Sequence, residues 1–276
     1  MKKTFLTALS LLLLMGTGTV ANAANKPEDP KTSKAVSSTQ NENFAKADLS
    51  KLKKNKKGAY ILFDGSSLYG WRGYNKATVP SKWTIDEGAL KFAGKTAAAN
   101  QKEGGDIIFA HDFKNFELEL ETKISHAGNS GIFVLAKEIS GKPIYISAPE
   151  YQVLDNDNHP DAKMGVNGNR KSASLYDMIP ATPQNAHPAG QWNKVKIVVK
   201  DGVISNYQNG VKVVEYKFGT PEWTALLQQS KFSEAKWPDA FKLLNNLGGE
   251  SKSGVIGFQD HGDDVWFRNV TLKVLK

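Results

Sequence analysis

The chain reads as all-β, a two-sheet antiparallel sandwich of jelly-roll type with one short helix. Three observations predict it. Short stretches of alternating apolar and polar residues recur; the clearest is Phe116 to Ile124, where Phe116, Leu118 and Leu120 alternate with Glu117, Glu119 and Glu121. Hairpin signals separate such stretches, notably Asp201-Gly202 and Asn209-Gly210. Helix punctuation is confined to one place, and no internal repeat is evident. A domain of this length suits two curved sheets better than a small immunoglobulin-type sandwich.

In order, Met1 to Ala23 has the marks of a secretory leader: Lys2 and Lys3, an apolar run from Phe5 to Met15, then Ala21-Asn22-Ala23 as a cleavage site. The run is too short to span a bilayer, and no later stretch is long enough. These features place the mature protein in the periplasm. Residues 24–58 are Lys-rich and poor in large apolar groups, which predicts a disordered or loosely attached arm. The domain then occupies residues 59–276. Ala59 to Gly65 is a buried strand ending in an Asp-Gly turn. Leu68, Trp71 and Tyr74 fall in a glycine-punctuated loop. Trp83 to Ile85 and Ala89 to Phe92 form a hairpin, Asp106 to Phe109 is a strand, and Asn129-Ser130-Gly131 leads into another at Ile132 to Leu135. Trp192 to Lys200, Val203 to Gln208 and Val211 to Tyr216 form a meander. Thr220, Pro221 and Glu222 open the single helix, with Trp223, Leu226 and Leu227 on its apolar face. Gly254 to Gln259 and Val265 to Val274 close the sheets.

The net charge of +8 is carried mostly by the leader and the arm, where residues 24–58 hold nine lysines against four acids. The domain is left near neutrality, without the clustered basic footprint that nucleic-acid binding needs. No cysteine is present, which excludes disulfides, thiol catalysis and a lipidated cysteine after the leader. There is no GxSxG, Walker loop, dinucleotide fingerprint or HExxH.

The candidate chemistry concentrates in Ala148 to Met178, a strand running into a long polar loop. Glu150 and Gln152 share one face of the strand, about 7 Å apart by strand rise. Glu150 is a candidate general base or acid. Asp155, Asp157, His159 and Asp161 crowd carboxylates around an imidazole; Asp157 and His159 are the candidates for a divalent metal, although the EF-hand pattern is absent. Asp260 and His261 form a second polar knot between strands, with catalysis or an ordinary turn as readings. Arg268 follows, able to neutralise an oxyanion or pair with a local carboxylate. Trp71, Tyr74, Trp192, Tyr176 and Trp266 offer flat faces that suit sugars or cores.

Several stretches together resemble one family: FDGSSLYGW (63–71), GGDII (104–108), NSGIF (129–133), the segment from Glu150 to Asp177, QWN (191–193) and GFQDHGDDVWFRNV (257–270). The chain is similar, from about Tyr60 to Leu275, to the 3-keto-disaccharide hydrolase domain family, abundant in Bacteroidota. Many relatives carry arginine where this chain has Leu135. The resemblance implies a concanavalin A-like jelly roll with the site on its concave sheet. It also implies action on glycosides oxidised at sugar carbon 3, by proton abstraction at C2 and loss of the aglycone from C1. On that basis Glu150 or His261, with Asp260, is the expected acid–base machinery. Gln152, Asn129 and Arg268 are expected to hold the ketone and hydroxyls, and Arg170 and Tyr176 to close the pocket. A metal near His159 and Asp157 would polarise the ketone. The rival from another class is a non-catalytic, lectin-like carbohydrate-binding module. An ordinary endo-glucanase is disfavoured, since it needs acids alternating on one strand and Gln152 stands at the second position.

Overall fold

The structure is a computed structural model in which residues 44–276 are described. The predicted leader, 1–23, and residues 24–43 of the predicted arm lie outside the described residues. The rest of that arm is laid against the domain: the Phe44 ring covers the Arg72 guanidinium at 4.8 Å. Ala47 is buried and donates its N–H to the Ala110 carbonyl. Residues 44–58 thus lie against the domain through small apolar and aromatic contacts that composition does not show.

Thirteen strands form two antiparallel sheets. The larger has the order β11 (Val211–Lys217), β10 (Val203–Gln208), β9 (Asn193–Lys200), β6 (Phe116–Ile124), β13 (Val265–Val274), β4 (Ala89–Phe92) and β3 (Trp83–Asp86), with β1 (Tyr60–Phe63) also pairing to β13. The smaller runs β2 (Trp71–Gly73), β5 (Ile107–Phe113), β12 (Gly254–Phe258), β7 (Asn129–Ala136) and β8 (Glu150–Leu154). Strand β6 buries every second residue, as its alternation predicts. The turn between β3 and β4 places Glu87 and Gly88 at positive φ, the geometry of a tight hairpin.

The main core lies between the sheets. Phe258 of β12 and Phe267 of β13 stack across it with ring centroids 4.1 Å apart. Two departures from the sequence reading occur. Trp71 begins a strand rather than a loop, because its side chain enters this core and its indole N–H donates to the Leu62 carbonyl at 2.8 Å. A second helix, α2 (Pro238–Asn245), follows the expected α1 (Pro221–Gln229), whose cap Thr220 accepts from the Trp223 N–H. Among the described residues no side chain caps α2, so it lacks the signal that marks α1.

A second, smaller core covers part of the outer face of the five-stranded sheet, where Phe133, Ile108 and Val255 meet Ile144 and Ala148. Phe133 pairs directly with Glu150, so the two share that outer face. Leu135 takes φ 56° and turns into the main core. Leu135 is thus buried between the sheets.

Candidate active site

Beyond the small outer core, the same face carries polar groups. Glu150, at the start of β8, is 7% exposed. Its side chain lies over Gly131 of the adjacent strand, where a Cβ would collide with the carboxyl group. Among the described residues its carboxylate makes no hydrogen bond and no ion pair. Burial pushes its pKa up to about 8; Lys231 opposes that rise, and Asp106 and Asp161 add to it. A buried carboxylate without a partner is costly and is found where a reaction uses it.

Asp106, just before β5, is a second carboxyl with a raised pKa, half-buried and holding one hydrogen bond. Burial pushes it up to about 7, against the stabilising Asp260 N–H that it accepts at 2.9 Å, and the Asp260 charge adds to the rise. The sequence marks Asp106 only as the opening of a strand, although GGDII sets two glycines before it. Lys231, in the turn after α1, is the other group that sequence reasoning misses. Nothing local distinguishes it, since its relevance comes from chain segments far apart in sequence.

The far end of the long loop folds back onto β8. Residues after Ser172 return to pair with β8: the Ala173 N–H donates to Gln152, and the Tyr176 N–H to Glu150. Arg170 bridges Asp161 at 2.8 Å and Asp177 at 2.6 Å, and the Tyr176 hydroxyl donates to Asp161 at 3.0 Å. Asp177 also accepts the Lys231 backbone N–H at 2.7 Å. Arg170 and Tyr176 therefore form the wall beside Glu150 and Lys231, with Arg170 committed to its two carboxylates.

At the other end stand Asn129, His159 and His261. The two imidazoles face edge to face, centroids 6.3 Å apart, and the Asn129 side-chain amide lies 3.4 Å from His261 Nε2. Burial, aided by the His261 charge, depresses the pKa of His159, while Asp161 and Asp263 oppose the shift. Asn129 Oδ1 and Gln259 Oε1 are buried without partners, two acceptors free for hydroxyl donors.

Four expectations are corrected. Gln152 is fully buried, with its amide spent on the Arg170 carbonyl and the Val153 N–H, so it braces the loop. Asp260 accepts from the N–H groups of Gly105 and Gly262, tying a turn beneath Asp106. Arg268 lies on the outer face of the larger sheet, paired with Glu121 at 2.7 Å and stacked over Trp192 at 3.9 Å. Asp157 is exposed, while His159 Nδ1 accepts the Asp161 N–H at 3.1 Å. Among the described residues no group of three or more metal-ligating side chains converges, so Asp157 and His159 do not make a metal site by geometry.

Residues 58–273 match the family model described as a 3-keto-alpha-glucoside-1,2-lyase-like domain. The chain is 58% identical over 251 residues to a 3-keto-disaccharide hydrolase of Bacteroides thetaiotaomicron, covering 87% of each. A solved structure from Parabacteroides distasonis, a provisionally assigned glycosyl hydrolase, superposes with TM-score 0.66 at 27% identity, covering 80% of this chain and 95% of that one. Another from the same organism has TM-score 0.52 at 22% identity, covering 74% and 99%.

Proposed function

Since the chain belongs to the family of 3-keto-alpha-glucoside-1,2-lyase-like domains, we propose that it is a glycosidase-like enzyme cleaving glycosides already oxidised to the ketone at carbon 3. The observation that carries this reading is Glu150: buried, without a hydrogen bond or ion pair among the described residues, its pKa pushed up to about 8 by burial. A C3 ketone acidifies the proton at C2. Glu150, when ionised, takes that proton; the electron pair passes into a C2–C3 enolate and then expels the glycosidic oxygen from C1. Asp106, whose pKa burial pushes up to about 7, gives a proton to the departing oxygen; because Glu150 holds its own proton to a higher pH, the productive form, Glu150 ionised and Asp106 protonated, is the minority one of the singly ionised pair. The product has a C1–C2 double bond conjugated with the ketone. Release at that stage is the lyase outcome; addition of water to the double bond gives net hydrolysis.

Asn129 Oδ1 and Gln259 Oε1 supply acceptors for sugar hydroxyls. A lectin-like module has no use for two carboxyl groups whose pKa burial raises toward neutrality and above, which favours catalysis over binding alone. The predicted leader supports a periplasmic setting. The test is turnover of a 3-keto-glucoside by Glu150→Gln and Asp106→Asn. Each is expected to lower kcat by about 10²–10⁴-fold; undiminished turnover by both removes the assignment.

A further inference from the structure

Lys231 sits between two buried neighbours, Ser230 and Phe232, which fix the backbone on either side. Its N–H is held by Asp177, itself held by Arg170. Its ammonium lies over the Tyr176 ring at 4.3 Å, near Phe232 at 5.0 Å and Tyr145 at 5.7 Å. This aromatic cage favours the cation without neutralising it. Among the described residues the ammonium makes no ion pair within 4.0 Å and no hydrogen bond. Yet it is the leading opposite charge acting on Glu150, and Glu150 leads among those acting on it.

We infer that Lys231 is a catalytic cation, holding the C3 oxygen of the substrate as negative charge develops there while Glu150 removes the neighbouring proton. The inference rests on the keto-sugar reading above. A base within about 3 Å of C2 and a donor within about 3 Å of the C3 oxygen must stand apart by more than ion-pairing distance. Tyr176 ties the two together, its N–H donating to the Glu150 carbonyl and its ring lying under the Lys231 ammonium, while carboxylate and ammonium stay outside ion-pairing distance; that arrangement meets the requirement. The ammonium keeps its protons throughout: the C2 proton goes to Glu150, the electron pair to the enolate oxygen and then to the C1–oxygen bond as it breaks. Burial lowers the Lys231 pKa, with Arg170 adding to the effect, while Glu150, Asp177 and Asp161 raise it. The proton is thereby poised to be shared with an oxyanion.

The test compares Lys231→Met and Lys231→Arg with wild type on a 3-keto-glucoside, after thermal melts confirm folding. Lys231→Met is expected to lose about 10²–10³-fold in kcat, with KM changed far less, and Lys231→Arg to recover part of it. Removing the cation also raises the Glu150 pKa, so the alkaline limb of the pH profile moves to higher pH in Lys231→Met. Wild-type kcat in Lys231→Met, or a loss without movement of that limb, overturns the inference. If the wild-type protein turns over no 3-keto-glycoside, the parent reading fails instead. If wild type is active, Glu150→Gln is inactive and Lys231→Met is unimpaired, only the role of Lys231 falls.

Discussion

The two sheets present outer faces that look alike in sequence and differ in physics. On the larger sheet, Trp266 is flanked by Lys91 and Lys123, and Trp192 by Lys123 and Arg268, at 3.9 to 5.1 Å. Arg268 is paired with Glu121, and Lys91 lies 3.7 Å from Asp86. These charges are partly wet and mutually satisfied. At the smaller sheet Glu150 is buried, Asp106 and Lys231 are half-buried, and among the described residues none of the three makes an ion pair. A satisfied, solvated charge stabilises little and does no chemistry. A buried, unsatisfied one costs stability and keeps its reactivity for a ligand.

The contrast is sharpened most by Gly131→Ala. A methyl group there collides with the Glu150 carboxyl, while Glu150 can swing aside. The fold is expected to survive in a thermal melt, and kcat on a 3-keto-glucoside to fall about 10²-fold, the loss that a small misplacement of a reacting group produces. A variant with wild-type kcat would show that the position of Glu150 is immaterial.

A smaller effect is read from pH. Turnover needs one of Glu150 and Asp106 ionised and the other protonated. Below about 7 both carry protons, and above about 8 neither does. A bell-shaped kcat/KM with its maximum between these values is expected, and any residual activity of Glu150→Gln should lack the acid limb, which reports ionisation of the base. A flat profile from pH 5 to 10 would break the contrast. The effect expected to be smallest is that of Arg268→Ala. It removes a partly exposed pair, so stability should change by about 1 kcal/mol or less and kcat by less than about twofold. A large loss of activity would return Arg268 to the site.

Much of the fold is legible in the sequence because burial and alternation are local: Phe116 to Ile124 announces one wet and one dry face, and Asp201-Gly202 and Asn209-Gly210 announce turns. Helix α2 escapes because it opens without a capping side chain. At the site, Glu150, Arg170, Tyr176 and Asn129 stand out because they crowd into stretches dense in polar residues. Density also misleads. Asp157 and Asp260 serve loop and turn geometry, Gln152 braces the loop, and Arg268 belongs to the opposite sheet although it follows Asp260 and His261 closely in the chain. Asp106 and Lys231 carry no such mark because their significance is desolvation and facing, which exist only once β5, β8 and the segment after α1 are brought together.

The most direct measurement follows the hydrogen at sugar carbon 2. The protein should be incubated in deuterated buffer with a 3-keto-disaccharide and, separately, with its unoxidised parent. Cleavage of the keto form alone, with loss of the original C2 hydrogen from the released sugar, is expected. Equal cleavage of both, or complete retention of the C2 hydrogen, would contradict proton abstraction by Glu150 as the basis of bond breaking.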